Sequence, residues 1–456
     1  MTTTQLPGAG VAPGAWPLLG HLWHLHNHPL EFLSSLPAHG DLVRIMVGTS
    51  PVYVVCDPSA VHQILTDSRT FDKGGPLFDR ARELFLGNSL PLSGWREHQW
   101  QRRLMQPAFQ PEHIERYAAV MSEEVDRMTS RWRPGLRLDV TDAMTALTLR
   151  IVTRSVLAAD MQDEAVAAVE EYLHTVMDGT YRRVMLPLGP LYRLPTRGNR
   201  RYRRALDRLH HDIDALVAAR RAAPGDDLVS LLLAGYDDTG APMSDKDIRE
   251  QLVVTMAAGF ETTACTLSFA LWLLSQLPDI AERLHAEVDA ALAGRTAELA
   301  DLDRLPYTQR FVGEVLRLYP PVWLFTRVTT ADTTLAGCPL PAGTAVLYSA
   351  YLLQHRPDLF PSPDLFDPDR RAAPAGAGRR GALVPFGGGN RKCIGDRFAL
   401  VEMSLALATV CARWSLAPDP GATLRVRARG TLGPGRLPMT CRPRGTTVAA
   451  PGDDQL

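Results

Sequence analysis

Cys393 follows three consecutive glycines, Gly387 to Gly389, and precedes a run from Phe398 to Val410 with apolar residues at helical spacing. A thiolate at the mouth of that helix meets the positive end of the helix dipole and can accept backbone N–H bonds. Such a sulfur is a soft, electron-rich ligand suited to iron. The glycines let the backbone take positive φ values and come close to a flat cofactor. A nucleotide loop does not fit, because position 392 is lysine rather than a third glycine and no Gly-Lys-Ser/Thr follows. Zinc does not fit either, since the chain holds no Cys-x-x-Cys pair. Cys56, Cys265, Cys338, Cys411 and Cys441 read as small buried hydrophobes.

Other side chains stand out against their surroundings. The longest periodic segment runs from a capping Ser244 or Asp245 to about Gln276, and Pro278 stops it. At 1.5 Å per residue it spans roughly 45 Å. Its middle reads Ala257-Ala258-Gly259-Phe260-Glu261-Thr262-Thr263-Ala264. Glycine, an acid and two threonines are costly at the centre of a buried helix, which marks the segment as functional. The plainer reading is a threonine bonding back one turn and bending the helix. His98 and Arg102 sit four apart and share a helical face able to hold a carboxylate. Glu314 and Arg317 make an i,i+3 pair on a helix from Leu305 to Leu318.

The elements that must position these groups are mainly helical. Leu42–Val47 and Val52–Cys56, joined through Gly48 and Pro51, read as a β-hairpin. Residues 71–92 read as an apolar loop too broken for one helix. From Ala118 to about Leu232 the pattern is helical, and the segment from Arg182 to Arg204 holds eight arginines, read first as a solvated face. Pro320 and Pro321 force an extended, apolar stretch as far as Arg327.

With 456 residues and 45% apolar content the chain can bury a large core, and its length alone suggests two or three domains. A formal net charge of −1 gives no general case for nucleic acid. Six scattered cysteines suit a reduced, cytoplasmic setting. Prolines and glycines break the apolar residues from Leu6 to Leu22, so no signal peptide or membrane anchor is expected there. Residues 1–13 and 444–456 are expected to be disordered.

The order Phe386-x-x-Gly389-x-Arg391-x-Cys393-x-Gly395 resembles the haem-binding signature of the cytochrome P-450 superfamily. The resemblance implies one domain over residues 1–456, a mainly α (α+β) fold with small sheets, and haem b held by the Cys393 thiolate. It implies that Phe386, Gly395, Gly259, His98, Arg102, Arg327 and Arg391 contact the cofactor, the last four at its propionates. It assigns Glu261 and Thr262 to proton delivery to bound oxygen, in a helix that opens to admit O2. Phe78, Phe85, Leu86, Ala258, Val322, Leu324, Phe325, Thr431 and Leu432 would border the substrate. Glu314 and Arg317 would join Arg370, from Phe366-Asp367-Pro368-Asp369-Arg370, in a buried network behind the ligand loop.

The activity implied is insertion of one oxygen atom of O2 into a C–H bond of a hydrophobic small molecule. Residues 181–195 and 320–323 are similar to bacterial members that oxidise sesquiterpenes, so a terpenoid of secondary metabolism is expected, ahead of a fatty acid or a polyketide such as a macrolide. A peroxide-driven peroxygenase and a haem carrier are the rivals, and neither needs the Glu261–Thr262 pair. Electrons would come through a separate ferredoxin and ferredoxin reductase using NAD(P)H, docking by Arg102, Arg103, Lys392 and Arg397.

Overall fold

The computed structural model describes residues 6–159, 162–186, 189–370 and 381–444. Helix Asp245–Gln276 runs through the middle of the molecule. Ser244 Oγ caps its start by accepting the Asp247 N–H at 3.1 Å, and Pro278 follows its end. It is apolar nearly all round because helices Val140–Ser155, Arg197–Ala222, Pro306–Leu318 and Asp396–Arg413 surround it. Among the described residues it alone is long and apolar enough to cross a membrane, and 72% of its most apolar window is buried inside the protein, as befits a core helix.

The fold is mainly helical with small sheets, as expected. The larger sheet orders its strands Gly10–Val11, Leu42–Val47, Ser50–Val55, Ala345–Tyr348, Phe325–Thr329 and Phe71–Asp72. The expected hairpin is present, with Leu42 opposite Val55 and Val47 opposite Ser50. Ser50–Val55 then pairs in parallel with Ala345–Tyr348, tying the first part of the chain to the strand pair that carries Arg327.

Two expectations are corrected. Residues 6–13 are not loose: Gly10 and Val11 pair with Val43 and Arg44, Ala9 and Ala12 are buried, and Arg444 is ion-paired to Asp289 at 2.7 Å. Residues 1–5 and 445–456 lie outside the described residues. Residues 71–92 are not one loop either. Phe71–Asp72 adds an edge strand, Pro76–Ala81 is a helix, and Arg82–Leu86 a π-helical turn. Pro76 sits in that helix's first turn, where its missing N–H costs nothing.

Behind the ligand loop, Glu314, Arg317 and Arg370 meet as expected. Arg317 donates to both carboxylate oxygens of Glu314, at 2.9 and 2.8 Å, and Arg370 Nε donates to Oε1 at 3.1 Å. Both partners in the Glu314–Arg317 pair are buried. Arg317 also donates to the Gln354 carbonyl at 2.8 Å, and the Gln354 side chain accepts the Val384 N–H at 3.1 Å. Val384 O in turn accepts the Gly387 N–H at 3.0 Å, so the network ends in the glycine run. Gln354, fully buried, is the link that sequence patterning gave no reason to choose. Removing one member of a buried pair leaves the other charge uncompensated, at a cost of about 3–5 kcal/mol. Glu314→Ala is expected to lose about that much in urea unfolding, whereas a loss below ~1 kcal/mol would show the network to be dispensable.

Candidate active site

Helix Asp396–Arg413 begins just after Cys393, and the chain before it folds back so that the Cys393 N–H donates to the Phe386 carbonyl at 2.9 Å. Gly387 and Gly389 have φ of +69° and +59°. At Gly389 the constraint is severe, because a Cβ there would lie 1.9 Å from the Leu65 carbonyl oxygen. The expectation that these glycines serve close approach to a flat cofactor is thus refined: Gly389 is fixed by backbone, at the end of helix Pro58–Thr66. Phe386 is half-buried against the helical core.

The Cys393 sulfur is accessible from its crevice and accepts the Gly395 N–H. Burial raises its pKa, ahead of the lowering by Gly395, and Asp396 adds to the rise that Arg102 and Lys392 oppose. Desolvation thus acts against the lowering by the Gly395 N–H.

Facing this loop lies a concentration of positive charge. Arg327 is buried, donates to the Thr326 carbonyl at 2.7 Å, and leaves Nε without a partner. Arg391 donates to the Ser93 carbonyl at 3.0 Å and pairs with Asp72, and its Nε too is unpartnered. Burial, only partly offset by Asp72, depresses Arg391 to about 10. His98 is pushed down to about 3 by burial, then by Arg391, Arg102, Lys73 and Arg327. Lys73, which sequence reasoning missed, has its ammonium among them, 5.3 Å from the centre of the Phe78 ring, and burial drives its pKa well below the ordinary value. Only its place beside Asp72 on the edge strand could have flagged it. Arg102 shares the helical face of His98 but donates to the Lys392 carbonyl at 2.6 Å, bracing the ligand loop directly.

On the central helix, Ala258 is exposed between buried Ala257 and half-buried Gly259, and Glu261 and Thr262 are half-buried as well, so this turn faces a cavity. The Thr262 hydroxyl donates to the Ala258 carbonyl at 2.8 Å, the plainer reading of that threonine. The helix is continuous through these residues, and Thr262 and Thr266 both return side-chain bonds to the preceding turn. Gly259 is likewise explained by packing: a Cβ would sit 2.8 Å from Val152 Cγ2, so helix Val140–Ser155 requires the glycine. Glu261 points away from Thr262, as consecutive helical residues do. Its carboxylate accepts the Thr431 hydroxyl at 2.7 Å.

The remaining pocket candidates divide. Val322 is exposed, and Leu324 and Phe325 are half-buried, Phe325 stacked on Tyr348 at 4.8 Å. Leu432 is fully buried in a strand and donates its N–H to the Pro321 carbonyl at 2.8 Å, so it borders no cavity, a correction that follows from its pairing. The side chains of Phe85 and Leu86 lie outside the described residues.

The signature of the cytochrome P450 family matches residues 11–434. The chain belongs to that family. Among similar proteins, the cyclooctat-9-en-7-ol 5-monooxygenase of Streptomyces melanosporofaciens is 47% identical, covering 95% of each chain. Cyclooctatin synthase from the same organism is 45% identical over 97% of this chain and 99% of its own. The pentalenene oxygenase of Streptomyces avermitilis is 42% identical over 93% and 95%. This P450 is a monooxygenase with a haem-iron cofactor. Its residues fit that group. Buried guanidinium Nε atoms on Arg327 and Arg391, with Lys73 and His98 beside them, lack the anion that two propionates supply, and the one free thiol in a glycine-flanked loop faces the same crevice.

Burial raises Glu261 to about 7, from 4.5, against the lowering by Thr431. Between those values the folded state holds a proton that the unfolded chain releases, so native stability declines as pH climbs from about 4.5 to 7. Glu261→Gln is expected to match the wild type at pH 4.5 and to exceed it at pH 8 by on the order of 1–3 kcal/mol in urea unfolding. A gain of the same size at both pH values would refute the assigned shift.

Proposed function

We propose that this P450 hydroxylates a terpenoid of secondary metabolism, using haem b held without covalent attachment. Support for the substrate class comes from the names of three relatives, which between them oxidise cyclooctat-9-en-7-ol and pentalenene and make cyclooctatin. Non-covalent haem b suits a chain with no Cys-x-x-Cys pair and four cationic or imidazole side chains aimed at one region. When bound, a thiolate-ligated haem supplies O–O bond cleavage and an oxidant able to attack C–H bonds.

The residues around it take the following parts. Cys393 provides the thiolate, with the Gly395 N–H on its sulfur. Lys73, His98, Arg327 and Arg391 hold the propionates, and Arg102 braces the loop through the Lys392 carbonyl. Thr262 already spends its proton on the Ala258 carbonyl, so it first accepts a hydrogen bond from water in the cavity. To donate, it must exchange the Ala258 bond, worth about 1 kcal/mol. Glu261, near neutrality, can give or take a proton close to pH 7, reaching Thr262 through water because its carboxylate faces Thr431. Ala258, Val322, Leu324, Phe325 and Phe78 face the hydrocarbon, and residues 1–456 work as one catalytic unit in the cytoplasm.

The observation that carries this reading is the accessible Cys393 thiol beside buried guanidinium groups, Arg327 and Arg391, whose Nε atoms have no partner. Titrating the purified haem protein with terpenes, fatty acids and macrolides, and following the Soret band, tests the substrate class. Terpenoids should give the largest shifts at the lowest concentrations, and tighter binding of a fatty acid or macrolide would overturn it. Cys393→His is expected to abolish the red-shifted Soret band of the reduced carbon monoxide complex, and its survival would refute the ligand. In Thr262→Ala, electron consumption should continue while product falls and hydrogen peroxide rises. Unchanged coupling would remove Thr262 from proton delivery.

For electron supply we infer a ferredoxin with its NAD(P)H-dependent reductase, docking where Arg103, Lys392 and Arg397 are exposed beside the ligand loop. Lys392 is paired with Asp396 at 2.5 Å, which reduces its share. The first-electron rate should fall with added salt and fall further in Arg103→Glu/Lys392→Glu, with a flatter salt response. Equal rates and slopes would place the partner elsewhere.

A further inference from the structure

The arginine run that sequence patterning read as a solvated face ends in residues that the catalytic site does not use. Helices Asp163–Met185 and Arg197–Ala222 pack together and are locked at Gly179 and Tyr202. A Cβ at Gly179 would lie 2.2 Å from the Tyr202 ring, and the Tyr202 hydroxyl lies 3.2 Å from that of Thr180. Arg183 covers the same ring at 3.7 Å and donates to Asn199 Oδ1 at 2.9 Å. Alongside this lock the two helices enclose a groove of about 570 Å³. Tyr172 and Thr175 line it from the first helix, and Arg200, Arg201, Arg204 and Arg208 from the second. Tyr172 is held in place by packing against the cluster of Val176, Tyr202 and Ala205.

The charge in this groove is one-sided. Arg201 meets Glu171 at 2.9 Å and Arg208 meets Asp212 at 3.2 Å, and exposed pairs of this kind hold weakly. Arg197, Arg200 and Arg204 are exposed and have no carboxylate partner among the described residues. Arg200 and Arg204 stand four apart, as do Arg204 and Arg208, and like charges at that spacing repel. The far end of the same helix is built differently, for Arg220 pairs with Asp227 at 3.0 Å and Arg221 with Asp245 at 2.5 Å. A row of repelling, unpaired guanidinium groups returns nothing to the fold, and such a departure from local rules is a mark of function.

Guanidinium forks match phosphate oxygens two at a time. Arginines four apart are separated by about 6 Å along the helix axis, so a single compact anion leaves part of the row unmet, whereas linked phosphates span it. A concave site of this volume suits a small molecule rather than the roughly 800 Å² face of a protein partner. We propose that this groove binds a soluble polyphosphate, either inorganic or as the di- or triphosphate group of an organic molecule. Arg200, Arg201, Arg204 and Arg208 take the phosphates, the Thr175 hydroxyl meets them from the facing helix, and the Tyr172 ring offers a surface to an organic group. The occupant neutralises the row and bridges the two helices. The proposal depends on neither the substrate nor the haem assignment, and its failure would leave both intact.

Isothermal titration calorimetry of the haem-loaded protein at low salt, with inorganic tripolyphosphate as the probe and sulfate for comparison, tests it. Tripolyphosphate should bind at one site per chain, about tenfold or more tightly than sulfate. Arg200→Gln/Arg204→Gln should weaken it by about tenfold or more through the loss of charge-assisted bonds. Both positions are exposed and glutamine suits a helix as well as arginine does, so melting temperature and haem spectrum without ligand should match the wild type. Arg133→Gln/Arg442→Gln removes the same charge at exposed positions elsewhere and should bind the probe like the wild type. Adenosine triphosphate and farnesyl diphosphate separate the sources: whichever binds more tightly than tripolyphosphate names the organic group, and equal binding of all three confines recognition to the phosphates. The proposal is overturned if tripolyphosphate binds no more tightly than sulfate, which would make it an adventitious ion only. It is overturned too if the Arg200/Arg204 variant binds like the wild type, or if the Arg133/Arg442 variant weakens binding as much. Capture by anionic vesicles or an acidic protein, with no binding of the soluble probe, would likewise overturn it.

Discussion

Buried positive charge is the constraint around which this molecule is built. Arg327, Arg391 and Lys73 are brought together beside a neutral His98, with Asp72 and Glu97 as nearby carboxylates, and two guanidinium nitrogens are left with nothing to donate to. Such an arrangement is costly unless an anion completes it. The sheet is what imposes it: Asp72 and Arg327 lie on adjacent strands, with Asp72 opposite Val328, while Asp72 Oδ2 also accepts the Trp95 N–H at 2.8 Å and so fixes the helix that carries His98. Cofactor binding and native stability are therefore coupled, because a dianionic group supplies what the protein lacks.

Much of this was legible in the sequence for an identifiable reason. Cys393, the glycine run and the helix after it form a local pattern, and local patterns survive reading in one dimension. The same holds for Ser244 to Gln276, where cap, period and terminating proline agree, and for the Leu42–Val55 hairpin. Glu314 and Arg317 are one turn apart, and the resemblance supplied Arg370.

What the sequence concealed depends on contacts between distant segments. Gly259 reads as a cofactor contact but is packed against Val152, and Gly389 reads as room for a cofactor but is packed against Leu65. Leu432 seemed a pocket wall until its strand pairing buried it. Lys73 and Gln354 have no local peculiarity and acquire their parts from other segments, Lys73 from Arg327 and Arg391 and Gln354 from Arg317 and Val384.

The clasp between Gly389 and the end of helix Pro58–Thr66 also bears on how the protein is made. The Cys393 loop, the buried cations beside it and the backbone that aligns them come from opposite ends of the chain, so no ribosome-bound fragment lacking the C-terminal third can assemble the pocket. Long-range closure of this kind is slow, and earlier domains in a growing chain cannot rehearse it. Cofactor capture is thus a late event in the life of each molecule. Until it occurs, newly released chains carry an interior with unpartnered buried guanidinium nitrogens.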